Sequence, residues 1–127
     1  MKKTILIVML LISHQAFAAW TMLDKTENGD AYSIDFSTMK NVNGNKRVWT
    51  LVNYLKPMKY AGKEIYSGTI LREIDCNEQK YRFLSIFAYS EINAKGVVVE
   101  TLGPEVDWRY SPPDSVGLGI VNAVCKK

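Results

Sequence analysis

Histidine is nearly missing from this 127-residue chain: the only one is His14. It falls in an N-terminal segment that reads as a removable leader, so the mature chain is expected to have none. Ser-His and Cys-His nucleophile pairs are thereby excluded, and so is an imidazole ligand for a catalytic metal. The chain is also short of charge of one sign. It holds 16 Lys and Arg against 13 Asp and Glu, and loss of Lys2 and Lys3 with the leader leaves 14 against 13, or +1. The strongly basic face that supplies most nucleic-acid affinity is lacking, so nucleic acid is not expected as a partner. Cysteine occurs only as Cys76 and Cys125, with no Cys-x-x-Cys pair to suggest redox chemistry. Internal repeats and low-complexity tracts are absent. Neither a cofactor nor a metal is implied.

What is present at the N-terminus is Lys2-Lys3, the apolar run Ile5 to Ile12, and Ala16-Phe17-Ala18. This is the three-part layout of a secretory signal peptide. Eight consecutive apolar residues fall far short of the roughly 20 that cross a bilayer. The expected organisation is a signal peptide over 1–18 and one domain over 19–127, with no transmembrane segment after signal removal. No cysteine follows the apolar run to accept a lipid. In an oxidising compartment one Cys76–Cys125 disulfide is the simplest pairing, with two free thiols as the alternative.

Strand signals dominate the mature sequence. A short segment around Trp20 to Leu23 precedes the turn Asn28-Gly29-Asp30 and a strand Ala31 to Phe36. Further strands are expected over Arg47 to Lys56, Glu64 to Cys76, Lys80 to Ser90 and Val97 to Thr101, rich in β-branched and aromatic residues. Short turns between them predict antiparallel neighbours. Ser111-Pro112-Pro113-Asp114 then offers a capping serine, early prolines and an acidic first turn. Val116, Ile120, Ala123 and Val124 follow on one helical face. The expected fold is α+β: a single antiparallel meander of about six strands, a C-terminal helix packed on one face, and one disulfide.

A two-residue loop at Glu78-Gln79 would pair Cys76 with Tyr81, Ile74 with Phe83, Ile70 with Phe87 and Gly68 with Tyr89 on the helix side. The other side would carry Asp75 opposite Arg82, Glu73 opposite Leu84 and Leu71 opposite Ile86. Extending the pairing across the Lys56 to Glu64 loop brings Trp49 beside Leu71 and Leu51 beside Thr69. Trp49, Leu51, Leu71, Leu84 and Ile86 would then form an apolar patch away from the helix, suited to a homodimer or a partner, unless another segment covers it.

Glu73 and Asp75, two apart on one strand face, raise paired-carboxylate hydrolysis, but an ion pair with Arg82 favours a structural role. Lys56, Lys59 and Lys63 would meet an acidic partner or a polyanion such as heparin, or simply form a solvated hairpin tip. Arg72 is placed on the helix side, where a charge needs a partner or an edge. Trp108-Arg109-Tyr110 has the composition of an interface hot spot, and equally of a lid over the sheet edge.

Ala31-Tyr32-Ser33-Ile34-Asp35, Val48 to Tyr54, Ile74-Asp75-Cys76 and Ala88-Tyr89-Ser90 occur in an order that resembles the bacterial surface-adhesin protein E family. Trp108-Arg109, Pro113 to Gly117 and Val124-Cys125 extend the resemblance over nearly the whole mature chain. It implies an antiparallel sheet, a C-terminal helix joined to it by the disulfide, and dimerisation. For true adhesins it also implies binding to host matrix or serum proteins such as vitronectin, laminin and plasminogen. The matrix-binding stretch would correspond to Tyr66 to Tyr89, with Arg72 and Arg82 its basic residues to test first. The founding adhesin is expected to be lipid-anchored, whereas no lipid-accepting cysteine follows the leader here. Periplasmic, secreted and cell-surface locations all stay open. The leading expectation is an exported, non-enzymatic, adhesin-like binding protein. The alternative is a periplasmic interaction or inhibitor module of the cell envelope, and a carboxylate-dependent hydrolase using Glu73 ranks last.

Overall fold

The computed structural model describes residues 19–126, so the signal peptide expected over 1–18 lies outside the described residues. The strands are β1 (Thr21–Lys25), β2 (Ala31–Val42), β3 (Asn45–Tyr60), β4 (Lys63–Asp75), β5 (Lys80–Glu91), β6 (Lys95–Leu102) and β7 (Arg109–Tyr110), followed by α1 (Val116–Cys125). β1 to β6 pair antiparallel in chain order, and β7 adds to β5 beyond the end of β6. The expected meander with a C-terminal helix is therefore the observed fold.

Two tight turns set the central strands. Asn43-Gly44 has φ of 51° and 81°, and Ala61-Gly62 has 48° and 76°. Positive φ at both central residues matches the right-handed twist of the flanking strands, which joins them with two residues. The segment expected as a loop after Lys56 is therefore strand, because β3 continues to Tyr60 before turning. A register irregularity between Asn53 and Met58 accommodates Pro57, which has no N–H to donate to a ladder. Trp49 lies opposite Leu71 and Leu51 opposite Thr69, the expected pairs, because this irregularity shifts the register that counting back from the Ala61-Gly62 turn would give.

The β4–β5 register differs from expectation for two reasons. First, the connection spans four residues, Cys76 to Gln79, rather than two. Asp75 Oδ1 accepts from the N–H groups of Asn77 (3.0 Å) and Glu78 (3.1 Å), a side-chain-closed turn that periodicity does not reveal. Asp75 consequently faces Lys80, Ile74 faces Tyr81, and Glu73 faces Arg82. Second, a bulge between Leu71 and Arg72 leaves Leu84 without a ladder partner. It reverses the faces of the rest of β5. Ile86 now lies opposite Ile70, Phe87 opposite Thr69, and Gly68 opposite Ala88 rather than Tyr89.

The helix is capped by Ser115, not Ser111: Leu118 N–H donates to Ser115 Oγ at 3.1 Å. Asp114, at φ 60°, is left-handed and outside the helix. The two prolines thus belong to the preceding turn, where Ser115 N–H reaches Pro112 O at 3.3 Å. Ile120, Val121 and Val124 bury against Ile34, Val48 and Ile74. Each such side chain contributes about 1.5–3 kcal/mol on burial. Ten residues containing Gly117 and Gly119 are too few to persist as an isolated helix, so docking is essential. The Cys76–Cys125 disulfide ties the helix end to the β4–β5 turn.

Candidate binding face opposite the helix

Side chains alternate along strands, so Ile34, Val48 and Ile74 under the helix place their neighbours on the other side. That second face carries Asp35 from β2, Arg47 and Trp49 from β3, Thr69, Leu71 and Glu73 from β4, and, beyond the bulge, Phe87 and Tyr89 from β5. The Trp49 and Phe87 rings stack with centroids 6.0 Å apart and planes at 29°. This aromatic ridge has a hollow on each side. One, of about 390 Å³, is lined by Trp20, Asp35, Trp49, Phe87, Tyr89 and Asn93 among others. The second, of about 350 Å³, includes Lys40, Arg47, Trp49 and Leu71.

Of the expected patch, Trp49 and Leu71 are adjacent and partly exposed on this face. Leu51 shares the face but is only 2% exposed. Ile86 is on the helix side instead, where it lines a small apolar pocket with Val52, Ile70 and Leu102. Leu84 is the extra residue of the bulge. Ser85 and Arg82 stand opposite Leu71 and Glu73, where simple alternation puts Ile86 and Leu84, and Phe87 and Tyr89 join this face opposite Thr69 and Ser67. A single inserted residue is invisible to a period-two pattern, and only the aromatic density of β5 hints at it.

Charge is arranged around the ridge. Glu73, 3% exposed, accepts from Arg82 Nε at 2.9 Å and forms ion pairs with Arg82 Nη2 at 2.8 Å and Arg47 Nη2 at 3.6 Å. Arg82 also donates to Val106 O at 3.2 Å and lies 4.4 Å over the Trp108 ring. Asp75 pairs with Lys80 at 4.0 Å rather than with Arg82. Both carboxylates thus serve ion pairs within the sheet. Arg72 is 5% exposed on the helix side, with Nε donating to Thr50 Oγ1 at 2.9 Å and its guanidinium 4.7 Å over Phe83. Burial lowers its pKa to about 10, which leaves it charged at neutral pH.

Lys56 and Lys59 are exposed along the long β3–β4 hairpin. Lys63 Nζ instead donates to Val99 O at 2.9 Å and approaches Glu100 Oε2 at 3.4 Å. Trp108-Arg109-Tyr110 runs along the β5 edge: Trp108 covers Arg82, and Arg109 pairs with Glu105 at 2.8 Å. Tyr54, on the helix side, has its phenol pushed up to about 12, mainly by burial and then by Tyr32 and Asp30.

No cluster of three or more metal-ligating side chains occurs among the described residues, and no helix there is long and apolar enough to cross a membrane. No curated protein matches the chain. Solved structures do. A second crystal form of Haemophilus influenzae protein E aligns with a TM-score of 0.65 at 16% identity, covering 88% of this chain and 91% of that one. Another structure of Haemophilus influenzae protein E gives 0.60 at 16% identity, covering 88% and 87%. Protein E from non-typeable Haemophilus influenzae gives 0.57 at 16%, covering 89% and 79%. At that identity the structures share the fold. The model of the surface-adhesin protein E family matches residues 20–126, and the chain belongs to that family.

Proposed function

We propose that the protein is an exported, non-enzymatic adhesin that binds a protein partner through the sheet face carrying Trp49, Leu71 and Phe87. Family membership supports adhesion. The observation that carries the site is the stacked Trp49–Phe87 pair, which stands partly exposed between two hollows on the face that the helix leaves uncovered. Aromatic anchors with an arginine beside them are the composition of binding hot spots. Arg47 and Arg82 supply that cationic rim, with side chains 37% and 27% exposed. Lys56 and Lys59 offer a second basic contact along the hairpin. Arg72 lies beneath the helix side and acts on the packing.

The partners in this proposal are host matrix or serum proteins such as vitronectin, laminin or plasminogen. Purified mature protein should bind at least one of them when immobilised at low salt. Indifference to all three overturns the host-matrix proposal. Protease treatment of intact cells tests display, since a surface protein is cleaved and a periplasmic one is protected. Homodimerisation through the same face predicts twice the monomer mass in solution and its loss in Trp49→Ala.

A further inference from the structure

The hollow beside Trp49 has a charge that the proposed hot spot does not use. Asp35 is 3% exposed and lines it, directly across the ladder from Trp49. Its Oδ1 accepts from Ser37 N–H at 3.0 Å and Ser37 Oγ at 2.5 Å. Its Oδ2 has no hydrogen-bond partner among the described residues, and no Lys or Arg of those residues lies within 4.0 Å of the carboxylate. The local chain holds it there: Thr38 Oγ1 donates to Asp35 O at 2.7 Å and accepts from Trp49 N–H at 3.1 Å, closing the irregularity between Asp35 and Lys40.

The rest of the lining is aromatic surface from Trp20, Trp49, Phe87 and Tyr89, with neutral Thr38, Thr69, Asn93 and Ala94. Asp35 is therefore the only charged residue in the lining. A buried carboxylate without a cation is unfavourable, and aromatic faces attract cations most strongly where water is excluded. An acidic group entering here is repelled by Asp35, and a neutral donor makes a hydrogen bond without neutralising the charge.

Building on the proposed protein-binding role of this face, we infer that the hollow receives a lysine or arginine side chain presented by the partner protein. The aliphatic stem lies along Trp49 and Phe87, and the cationic head reaches the free oxygen of Asp35. The interaction is reversible and involves no covalent step. It makes the two hollows unequal: the Asp35 side selects a cation, while Lys40 and Arg47 make the other side electropositive.

The test uses the folded mature protein labelled with ¹⁵N and three blocked amino acids: N-acetyl-lysine, N-acetyl-arginine and N-acetyl-norleucine methylamides. The lysine or arginine probe should shift the Trp49 indole N–H resonance and bind at least fivefold more tightly than norleucine, with the preference shrinking as salt rises. Asp35→Asn, which keeps the acceptor for Ser37, should abolish the preference. Should that variant fail to fold, Phe87→Leu tests the aromatic wall and should weaken the lysine probe at least threefold. Equal binding of norleucine, an unmoved Trp49 resonance, or an unaltered preference in folded Asp35→Asn overturns the inference. Choline binding without lysine or arginine binding also overturns it, in favour of a small quaternary ammonium ligand. The adhesin proposal fails separately: probe binding without any matrix-protein binding removes that proposal and leaves the cation site standing. Matrix-protein binding unchanged in Asp35→Asn, with silent probes, does the reverse.

Discussion

Opening the Cys76–Cys125 disulfide should remove about 4 kcal/mol of stability. The two cysteines are 49 positions apart, so the bond closes a loop of about 50 residues, and the chain-entropy relation gives that value at 25 °C. The structure shows why the loss should fall on one element. The bond joins the last helical residue to the β4–β5 turn, and the helix is too short and too glycine-rich to survive undocked. Ile120, Val121 and Val124 would leave the core with it, exposing Ile34, Val48 and Ile74. Urea denaturation of Cys76→Ser/Cys125→Ser, followed by fluorescence and by far-ultraviolet dichroism, measures both effects. For a domain of this size a 4 kcal/mol loss corresponds to a fall in Tm of about 15 °C or more. A loss below about 1 kcal/mol with helical signal retained would refute this reasoning, because packing alone would then be holding the helix.

Gly119→Ala should stabilise the protein by about 0.5–1 kcal/mol in the same denaturation assay: the added Cβ meets only Leu23 Cδ2 at 3.9 Å, and alanine favours the helix. Glu73→Gln should cost about 1–3 kcal/mol by weakening the charge-assisted bonds to Arg82, moderated by the partial exposure of both arginines. Any enzymatic turnover lost with it would instead revive a catalytic role for Glu73. Tyr54 has a folded pKa raised to about 12 from 10.0, so its contribution is complete below pH 10 and disappears as pH rises through 12. A spectrophotometric phenolate titration should lose amplitude near 12 in Tyr54→Phe relative to wild type.

The sequence discloses the meander, the helix and the disulfide because each has a local cause: alternating β-branched strands, a helical apolar stripe, and an even cysteine pair in an exported chain. The β3–β4 pairing of Trp49 with Leu71 matches expectation because the irregularity around Pro57 offsets the continuation of β3 to Tyr60. The β4–β5 register does not, since Asp75 closes a longer turn with its own carboxylate and the bulge at Leu84 then reverses the faces. Both effects are tertiary choices among backbones that the same residues permit. The expected helix start at Ser111 differs from the observed cap at Ser115 because both serines have capping chemistry, and only the left-handed Asp114 decides between them. The candidate face is therefore half legible: Trp49 and Leu71 are expected on it from the sequence, Phe87 and Asp35 only from the folded arrangement.

The most direct test of the central claim is equilibrium binding of wild type and Trp49→Ala to immobilised vitronectin, laminin and plasminogen, with both proteins verified as folded by near-ultraviolet dichroism. Loss of the ridge should weaken binding about 30-fold, the effect of truncating a hot-spot residue worth about 2 kcal/mol. Undiminished affinity in folded Trp49→Ala would contradict the assignment of adhesion to this face.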